Sequence, residues 1–124
     1  DVRRVMREHP HAAFMAHPEC RPEVLELAHC ICGTAGMLKY APTSGKETII
    51  VGTEKGMIYP LKKANPKIDF IPASEELICR DMKLTGLENV YTALLEMKNI
   101  VTVPRDVADR ARNALERMIG VPAT

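Results

Sequence analysis

The sequence predicts an α/β fold: a three-layer α/β/α domain with a short parallel sheet, followed by a C-terminal helical extension. Helix-like and strand-like segments alternate strictly up to residue 73. The strand-like segments are continuous apolar runs, which is typical of parallel strands buried on both faces. Further along, the pattern changes to that of amphipathic helices. We therefore divide the chain into an α/β domain at 1–79 and a C-terminal segment at 80–124.

The first part of the chain contains four successive pairs of helix and strand. Predicted helices begin at residues 1, 22, 37 and 57, and predicted strands lie at 12–16, 30–31, 48–52 and 68–73. Pro22 suits the first position of a helix, where a missing N–H costs no intrahelical bond. Pro72 cannot donate to a sheet ladder, so its strand is expected at an edge or close to its own end. Residues 42–46 are predicted to form a loop.

Two longer helices are predicted in the C-terminal segment, separated by an extended stretch. Thr85 and Glu88 form a capping-box pattern with Thr85 as the N-cap. Pro104 opens the second helix and Gly120 closes it. The positions predicted to be buried are Leu87, Val90, Tyr91, Leu94, Leu95, Val107, Ala108, Ala111, Leu115 and Met118. One small sheet domain needs less apolar surface than this, so we expect part of the segment to dock on chain that is absent here.

Length and composition bound the function classes. The 124 residues fit one domain with a real core, and a net charge of +1 gives no reason to propose nucleic acid or a membrane surface as the main partner. No apolar run approaches the roughly 20 residues that a membrane-spanning helix needs. The first residues show no signal-peptide pattern, lack an initiator Met and read as the inside of a helix, so the chain is expected to be a piece of something longer.

Cysteines stand at positions 20, 30, 32 and 79. Their spacing does not match a paired zinc-ribbon pattern, and nothing in the sequence suggests secretion. One interpretation is a reduced cytosolic protein whose thiols are buried as small apolar groups. The other is that at least one cysteine binds a metal or a cluster. The spacing alone leaves both open.

His17 and Glu19 follow the apolar run at 12–16, where a buried strand is predicted to end. They are two residues apart, so on an extended backbone both side chains point to the same side. Pro18 between them stiffens the turn. A histidine and a carboxylate that share one space can act as an acid–base pair, although a solvated turn is the simpler interpretation.

Polar residues also follow the other predicted strands. The turn at Gly33–Gly36 leads into a helix and exposes backbone amides, which favour phosphate or carboxylate, with the Thr34 hydroxyl as a further donor. The alternative is a tight turn with Thr34 as an N-cap. Because the carboxyl ends of parallel strands share one crevice, we expect these side chains to converge there. They are His17, Glu19, Thr34, Glu54 and Ser74.

Four ordered motifs carry a resemblance to a known family. They are His17-Pro18-Glu19-Cys20, Gly33-Thr34-Ala35-Gly36-Met37, Gly52-Thr53-Glu54-Lys55-Gly56, and Cys79 followed by Asp81-Met82-Lys83-Leu84-Thr85 and Leu87-Glu88-Asn89-Val90. Together they resemble the carboxyl-terminal part of quinolinate synthase, the iron–sulfur enzyme of NAD biosynthesis. The resemblance covers essentially the whole chain, whereas the chain covers less than half of the family's length.

The resemblance implies a protein of three similar α/β/α domains around a [4Fe–4S] cluster, to which each domain gives one cysteine. The implied reaction condenses iminoaspartate with dihydroxyacetone phosphate to quinolinate, losing water and phosphate, with the cluster as a Lewis acid. Carried over by position, Cys79 is the third cluster ligand and the other two lie outside this chain. His17 and Glu19 are the catalytic pair, which also binds substrate, and Thr34 holds a substrate carboxylate or phosphate.

The resemblance also implies an inactive fragment, a cytoplasmic location and L-aspartate oxidase as the supplier of iminoaspartate. Cys20, Cys30 and Cys32 are expected to be non-ligands. The glycine-rich turn departs from the family's common Gly-Ser-Thr-Ser-Gly-Met, because two hydroxyl residues are lost if the two turns align. The alternatives are a free-standing module that binds metal through its four cysteines, and an α/β domain that binds a small anion without chemistry.

Overall fold

The computed structural model describes residues 1–120 and contains a parallel sheet of four strands. In chain order the elements are α1 (Val2–Glu8), β1 (Ala13–Ala16), α2 (Pro22–Leu25), β2 (Cys30–Ile31), α3 (Thr34–Thr43), β3 (Thr48–Gly52), a 3₁₀ turn (Lys55–Met57), α4 (Ile58–Ala64), β4 (Asp69–Pro72), α5 (Arg80–Leu84), α6 (Leu87–Glu96) and α7 (Arg105–Ile119). Helices and strands alternate as far as β4, so the predicted fold class is confirmed.

The strands lie in the order β2-β1-β3-β4, and every pair is parallel. Ala16, the last residue of β1, pairs with Ile31 on one side and with Gly52 on the other. The three strands therefore end at the same level. β4 is an edge strand, and Pro72 is its last residue, as the missing donor of proline predicts.

Each face of the sheet carries its own core, because side chains alternate along a strand. One core contains Met15 and Val51 from the strands, with Met37 from α3 and Leu61 from α4. The other contains Phe14 and Ile50, with residues of α1 and α2 packed against it. All four residues of β1 are buried, which explains why this strand reads as an uninterrupted apolar run.

Gly52 ends β3 at a point where no side chain fits. A Cβ added there would lie 2.8 Å from Cε2 of Phe14 and 3.3 Å from Cα of Ala16. The ring of Phe14 is fully buried and packs into the space that the glycine leaves. The glycine therefore leaves room for the Phe14 ring at the carboxyl ends of β1 and β3.

The structure corrects the predicted bounds of α3. The helix was expected to begin near Met37, with Thr34 as a possible N-cap, but Gly33 is the N-cap and Thr34 is the first helical residue. Residues 42–46 were expected to form a loop, but α3 continues to Thr43 and includes Pro42. The hydroxyl of Thr43 donates to the Tyr40 carbonyl at 3.0 Å, so a side chain satisfies one of the carbonyls left at the helix end.

Contacts between residues divide the chain after Met82, whereas the sequence placed the boundary after residue 79. The helix α5 spans this division. The second unit contains α6 and α7, two helices joined by the extended stretch at 100–103. None of the described helices is long and apolar enough to cross a bilayer.

The start of α6 differs from the predicted capping box. Gly86, not Thr85, is the N-cap, and its N–H donates to Oδ1 of Asn89 at 2.8 Å. The prediction was wrong by one residue, because a cap at Thr85 would place Gly86 inside the first turn. Glycine costs backbone entropy inside a helix but is accepted as an N-cap. Asn89 thus does what Glu88 was expected to do.

The apolar stripes of the second unit are present but are not buried in this chain. Leu87 and Leu94 are 87% and 72% exposed, and Leu115 and Met118 are 54% and 65% exposed. Among the residues 83–120 none is buried. The expectation that these side chains are buried is therefore wrong for the described chain, since the pattern predicts an apolar face but not what covers it.

The packing of the Phe14 ring over Gly52 predicts that Gly52→Ala destabilises the protein by about 1–3 kcal/mol, because the added methyl group overpacks this contact. Urea unfolding measures the free energy directly. The matched control is the same substitution in a Phe14→Leu background, where the ring atoms nearest the added methyl are absent. The cost of Gly52→Ala should be smaller there, and an equal cost in both backgrounds would rule out this contact as the cause.

Candidate active site at the carboxyl edge of the sheet

His17 continues the line of β1 beyond its last residue. Its backbone N–H donates to the Gly52 carbonyl at 3.0 Å, so its position is tied to β3 as well as to β1. The chain then turns, and the Cys20 N–H donates back to the His17 carbonyl at 2.9 Å. The thiol of Cys20 donates to the same Gly52 carbonyl at 3.2 Å. This turn is therefore anchored to the sheet at two points.

His17 and Glu19 meet as predicted, but through the turn rather than through alternation along a strand. The Glu19 N–H donates to Nδ1 of His17 over 3.4 Å, and Oε2 of Glu19 lies 3.7 Å from the same nitrogen. The side chain of His17 is 27% exposed and that of Glu19 is 90% exposed. Water screens such an exposed pair, so the contact adds little to stability.

Both contacts of the imidazole use Nδ1, and they suit different protonation states. A neutral ring accepts the Glu19 N–H at Nδ1, whereas an imidazolium ring has a proton there and is attracted by the Glu19 carboxylate. The same turn therefore accommodates His17 with and without its second proton. Nε2 is the nitrogen that neither contact occupies.

Thr34 lies at the start of α3, directly after β2. Met37 donates the first intrahelical bond, to the Gly33 carbonyl at 2.9 Å, so the amides of the first turn before it have no partner within the helix. The side chain of Thr34 is exposed. An exposed hydroxyl beside first-turn amides can donate hydrogen bonds to an anionic group.

The turns after β3 and β4 complete this edge. Oε2 of Glu54 accepts the Gly56 N–H at 2.7 Å and caps the 3₁₀ turn. The Ser74 hydroxyl donates to the Asp1 carboxylate at 2.8 Å. Each of the five polar residues predicted to converge thus lies just beyond the carboxyl end of a strand, although Glu54 and Ser74 are engaged with neighbouring chain.

Cys79 lies in the segment that follows β4, near the end of the sheet unit. The Leu77 carbonyl accepts the Lys55 N–H at 2.8 Å, which ties the segment after β4 to the turn after β3. Cys79 lies two residues further on, so its Cα is within about 7 Å of that of Leu77. Its side chain is partly exposed and its thiol is free.

Cys30 and Cys32 form a contact that the sequence did not predict. Their sulfur atoms are 3.6 Å apart, and both residues pack against the core on the α3 side of the sheet. Burial raises the pKa of Cys32 to about 11, and the neighbouring Cys30 adds to the shift. Burial, followed by the two thiols, also raises the pKa of Tyr40.

The geometry does not support a site built from all four cysteines. Cys20 packs against the opposite core from Cys30 and Cys32, so the sheet separates them. Within residues 1–120, no three side chains of His, Cys, Asp or Glu come together in a way that could hold a metal ion.

The model of the family described as "Quinolinate synthetase A protein" matches residues 1–120. The chain belongs to the quinolinate synthase family. A quinolinate synthase of Geobacter metallireducens is 46% identical over 121 residues, which cover 98% of this chain and 40% of the relative. One of Methanosarcina barkeri shows the same identity and coverage. One of Thermodesulfovibrio yellowstonii is 43% identical over 119 residues, covering 96% of this chain and 39% of the relative.

The chain therefore spans about 40% of the length of these quinolinate synthases. Their name is that of an enzyme, and the family membership confirms the resemblance that the four motifs carried. The structure adds contacts that the motifs could not reveal, namely the bond from Cys20 to Gly52 and the paired thiols of Cys30 and Cys32. The first depends on which strand lies beside which, and no local pattern encodes that.

The raised pKa of Cys32 predicts an unusual pH dependence of alkylation. Between about pH 7 and pH 9 its reaction with iodoacetamide should accelerate about tenfold per pH unit without levelling, because only the thiolate reacts. Quantitative mass spectrometry of the modified cysteine measures the rate, with glutathione as the reference thiol. A rate that levels off by about pH 9, as for an ordinary thiol, would contradict the burial of this group.

Proposed function

We propose that this chain is the carboxyl-terminal part of a quinolinate synthase. The proposed reaction is the condensation of iminoaspartate with dihydroxyacetone phosphate to quinolinate, with loss of water and phosphate, and the chain alone is inactive. The observation that carries the proposal is the His17–Glu19 pair, held at the carboxyl end of the central strand β1 in a member of this family. The free first turn of α3 on the neighbouring strand supports it.

His17 and Glu19 move protons in this proposal. Dehydration and tautomerisation both require a group that takes a proton at one step and returns it at another. The Nδ1 contacts allow the ring of His17 to be neutral or charged, with the Glu19 carboxylate beside the charged form. Nε2 is the atom that we assign to the substrate.

Thr34 holds an anionic group of the substrate. Both proposed substrates carry negative charge, as carboxylates or as a phosphate. The hydroxyl of Thr34 and the first-turn amides of α3 donate hydrogen bonds, and the helix dipole favours negative charge at the same end. Thr34 follows β2 and His17 follows β1, the neighbouring strand, so one small molecule spanning two strand ends contacts both.

Cys79 supplies one ligand to a [4Fe–4S] cluster, and the remaining cysteine ligands come from chain outside residues 1–124. Its partly exposed thiol on the anchored segment after β4 suits this role. When bound, a cluster with one iron that lacks a cysteine ligand supplies a Lewis acid that polarises a hydroxyl or carboxylate oxygen. Cys20 donates to Gly52 and is no ligand in this proposal.

The C-terminal segment docks on the remaining part of the family's polypeptide. The apolar faces of α6 and α7 are exposed in this chain. More than half of the length of the relatives lies outside the match, and this additional chain can supply the surface that covers them. We further propose a cytoplasmic protein that receives iminoaspartate from L-aspartate oxidase. Activity assays therefore need a protein of the full length of these relatives, which we call the family-length protein.

The acid–base role predicts that His17→Ala lowers kcat for quinolinate formation by about 100- to 10,000-fold in the family-length protein, and that Glu19→Gln lowers it less. The matched control is His11→Ala, because His11 is an exposed histidine close to the amino end of the same strand. It should keep the activity of the unchanged protein. Full activity in His17→Ala would remove the catalytic assignment.

The ligand role predicts that Cys79→Ser loses the visible iron–sulfur absorption after anaerobic reconstitution of the family-length protein with iron and sulfide. Cys20→Ser is the matched control and should retain it, since its thiol bonds to the Gly52 carbonyl. Reconstituting residues 1–124 alone should give no cluster. Stoichiometric metal on the lone chain, or a normal cluster in Cys79→Ser, would overturn the assignment.

A further inference from the structure

Cys30 and Cys32 form a pair of thiols for which the proposed reaction has no use. They stand on either side of Ile31 at the edge of the sheet, and residues two apart on a strand point to the same face. Their sulfur atoms are 3.6 Å apart, which is contact distance for two thiols. Both are free and partly exposed, so a small reagent can reach them.

The pair is packed directly against the first turn of α3. A Cβ added at Gly36 would lie 2.7 Å from Cβ and 3.2 Å from Sγ of Cys32, so the helix backbone touches this cysteine. The Cys32 N–H donates to the Ala16 carbonyl at 3.1 Å. Gly33 and Thr34 directly follow Cys32 in the chain. A displacement of Cys32 therefore reaches the start of α3.

We propose that Cys30 and Cys32 form a reversible disulfide with a low-molecular-weight disulfide as the oxidant, and that its closure displaces the first turn of α3. Closure then weakens the binding of anions at Thr34. This second step rests on the proposed function, whereas formation of the disulfide does not.

The chemistry is two successive thiol–disulfide exchanges. One cysteine, as its thiolate, attacks a sulfur of the external disulfide; a mixed disulfide forms, and one small thiolate leaves. The other cysteine attacks the protein sulfur of the mixed disulfide, the bond between Cys30 and Cys32 forms, and a second small thiolate leaves. The protein loses two electrons and two protons, and the external disulfide becomes two thiols.

The geometry makes this disulfide reversible and couples it to the helix. Two residues in a fully extended strand span about 7 Å, near the upper limit of about 6.8 Å between Cα atoms that a disulfide bridges. The backbone must therefore contract at β2, which is an edge strand of only two paired residues. A bond closed over so short a loop is strained, and strained disulfides are readily reduced.

The disulfide is tested in the family-length protein. The protein is equilibrated with increasing ratios of oxidised to reduced glutathione, then alkylated, and then cleaved after glutamate. The peptide 27–47, between Glu26 and Glu47, contains Cys30 and Cys32 as its only cysteines. It should become lighter by two hydrogen atoms, resist alkylation, and revert with dithiothreitol. Cys20→Ser should show the same transition at the same ratio.

Two results would overturn the disulfide. One is a 27–47 peptide that stays reduced, or carries only glutathione adducts, at every ratio. The other is a transition that disappears in Cys20→Ser, which would assign the oxidation to another pair. Cys30→Ser supplies the reference for a glutathione adduct on Cys32 alone.

The coupling is tested by titrating inorganic phosphate into the reduced and the oxidised protein. Oxidation should weaken phosphate binding by about two- to thirtyfold, the range that a helix N-terminus contributes. Thr34→Val should weaken it in the reduced protein. If the disulfide forms and phosphate binds both forms equally, with Thr34 required, the coupling is wrong. If neither form binds phosphate, the role of Thr34 and the coupling both fail, and the disulfide stands on its mass alone.

Discussion

The pairing of β1 with β3 is the constraint on which the rest of the structure depends. Its register places Ala16 opposite Gly52, so both strands stop at one level and their following turns meet. The carbonyl of Gly52 then accepts from the His17 backbone and from the Cys20 thiol. One carbonyl therefore anchors the turn at residues 17–20, and the absence of a side chain at Gly52 leaves room for the Phe14 ring beside it.

The sheet unit could be predicted because its signals are large. A strand buried on both faces must be apolar throughout, and proline must lie where no ladder donor is needed, as Pro72 does. Helix boundaries were less predictable, because neighbouring residues compete for the same cap with small differences in free energy. Gly86 is the N-cap of α6, where Thr85 was expected, and Gly33 is the N-cap of α3, where Thr34 was the candidate.

The residues of the candidate site also differ in how far the sequence could predict their contacts. His17 and Glu19 are close in the sequence, so their meeting follows from local geometry in either an extended or a turned backbone. The thiol contact of Cys30 and Cys32 needs the strand position and the packing of α3 as well. Cys79 lies between these cases: the sequence motif proposes it as a ligand, and the bond from Lys55 to Leu77 shows how its segment is held.

None of residues 83–120 is buried, and this has a consequence for how the chain unfolds. The heat-capacity change of unfolding and the denaturant m-value both grow with the surface that unfolding exposes. Helices α6 and α7 have less surface left to expose than the sheet unit, because none of their residues is buried. Calorimetry and urea titration of residues 1–124 thus register mainly the sheet unit, with an m-value closer to that of a domain of about 80 residues than to that of one of 124.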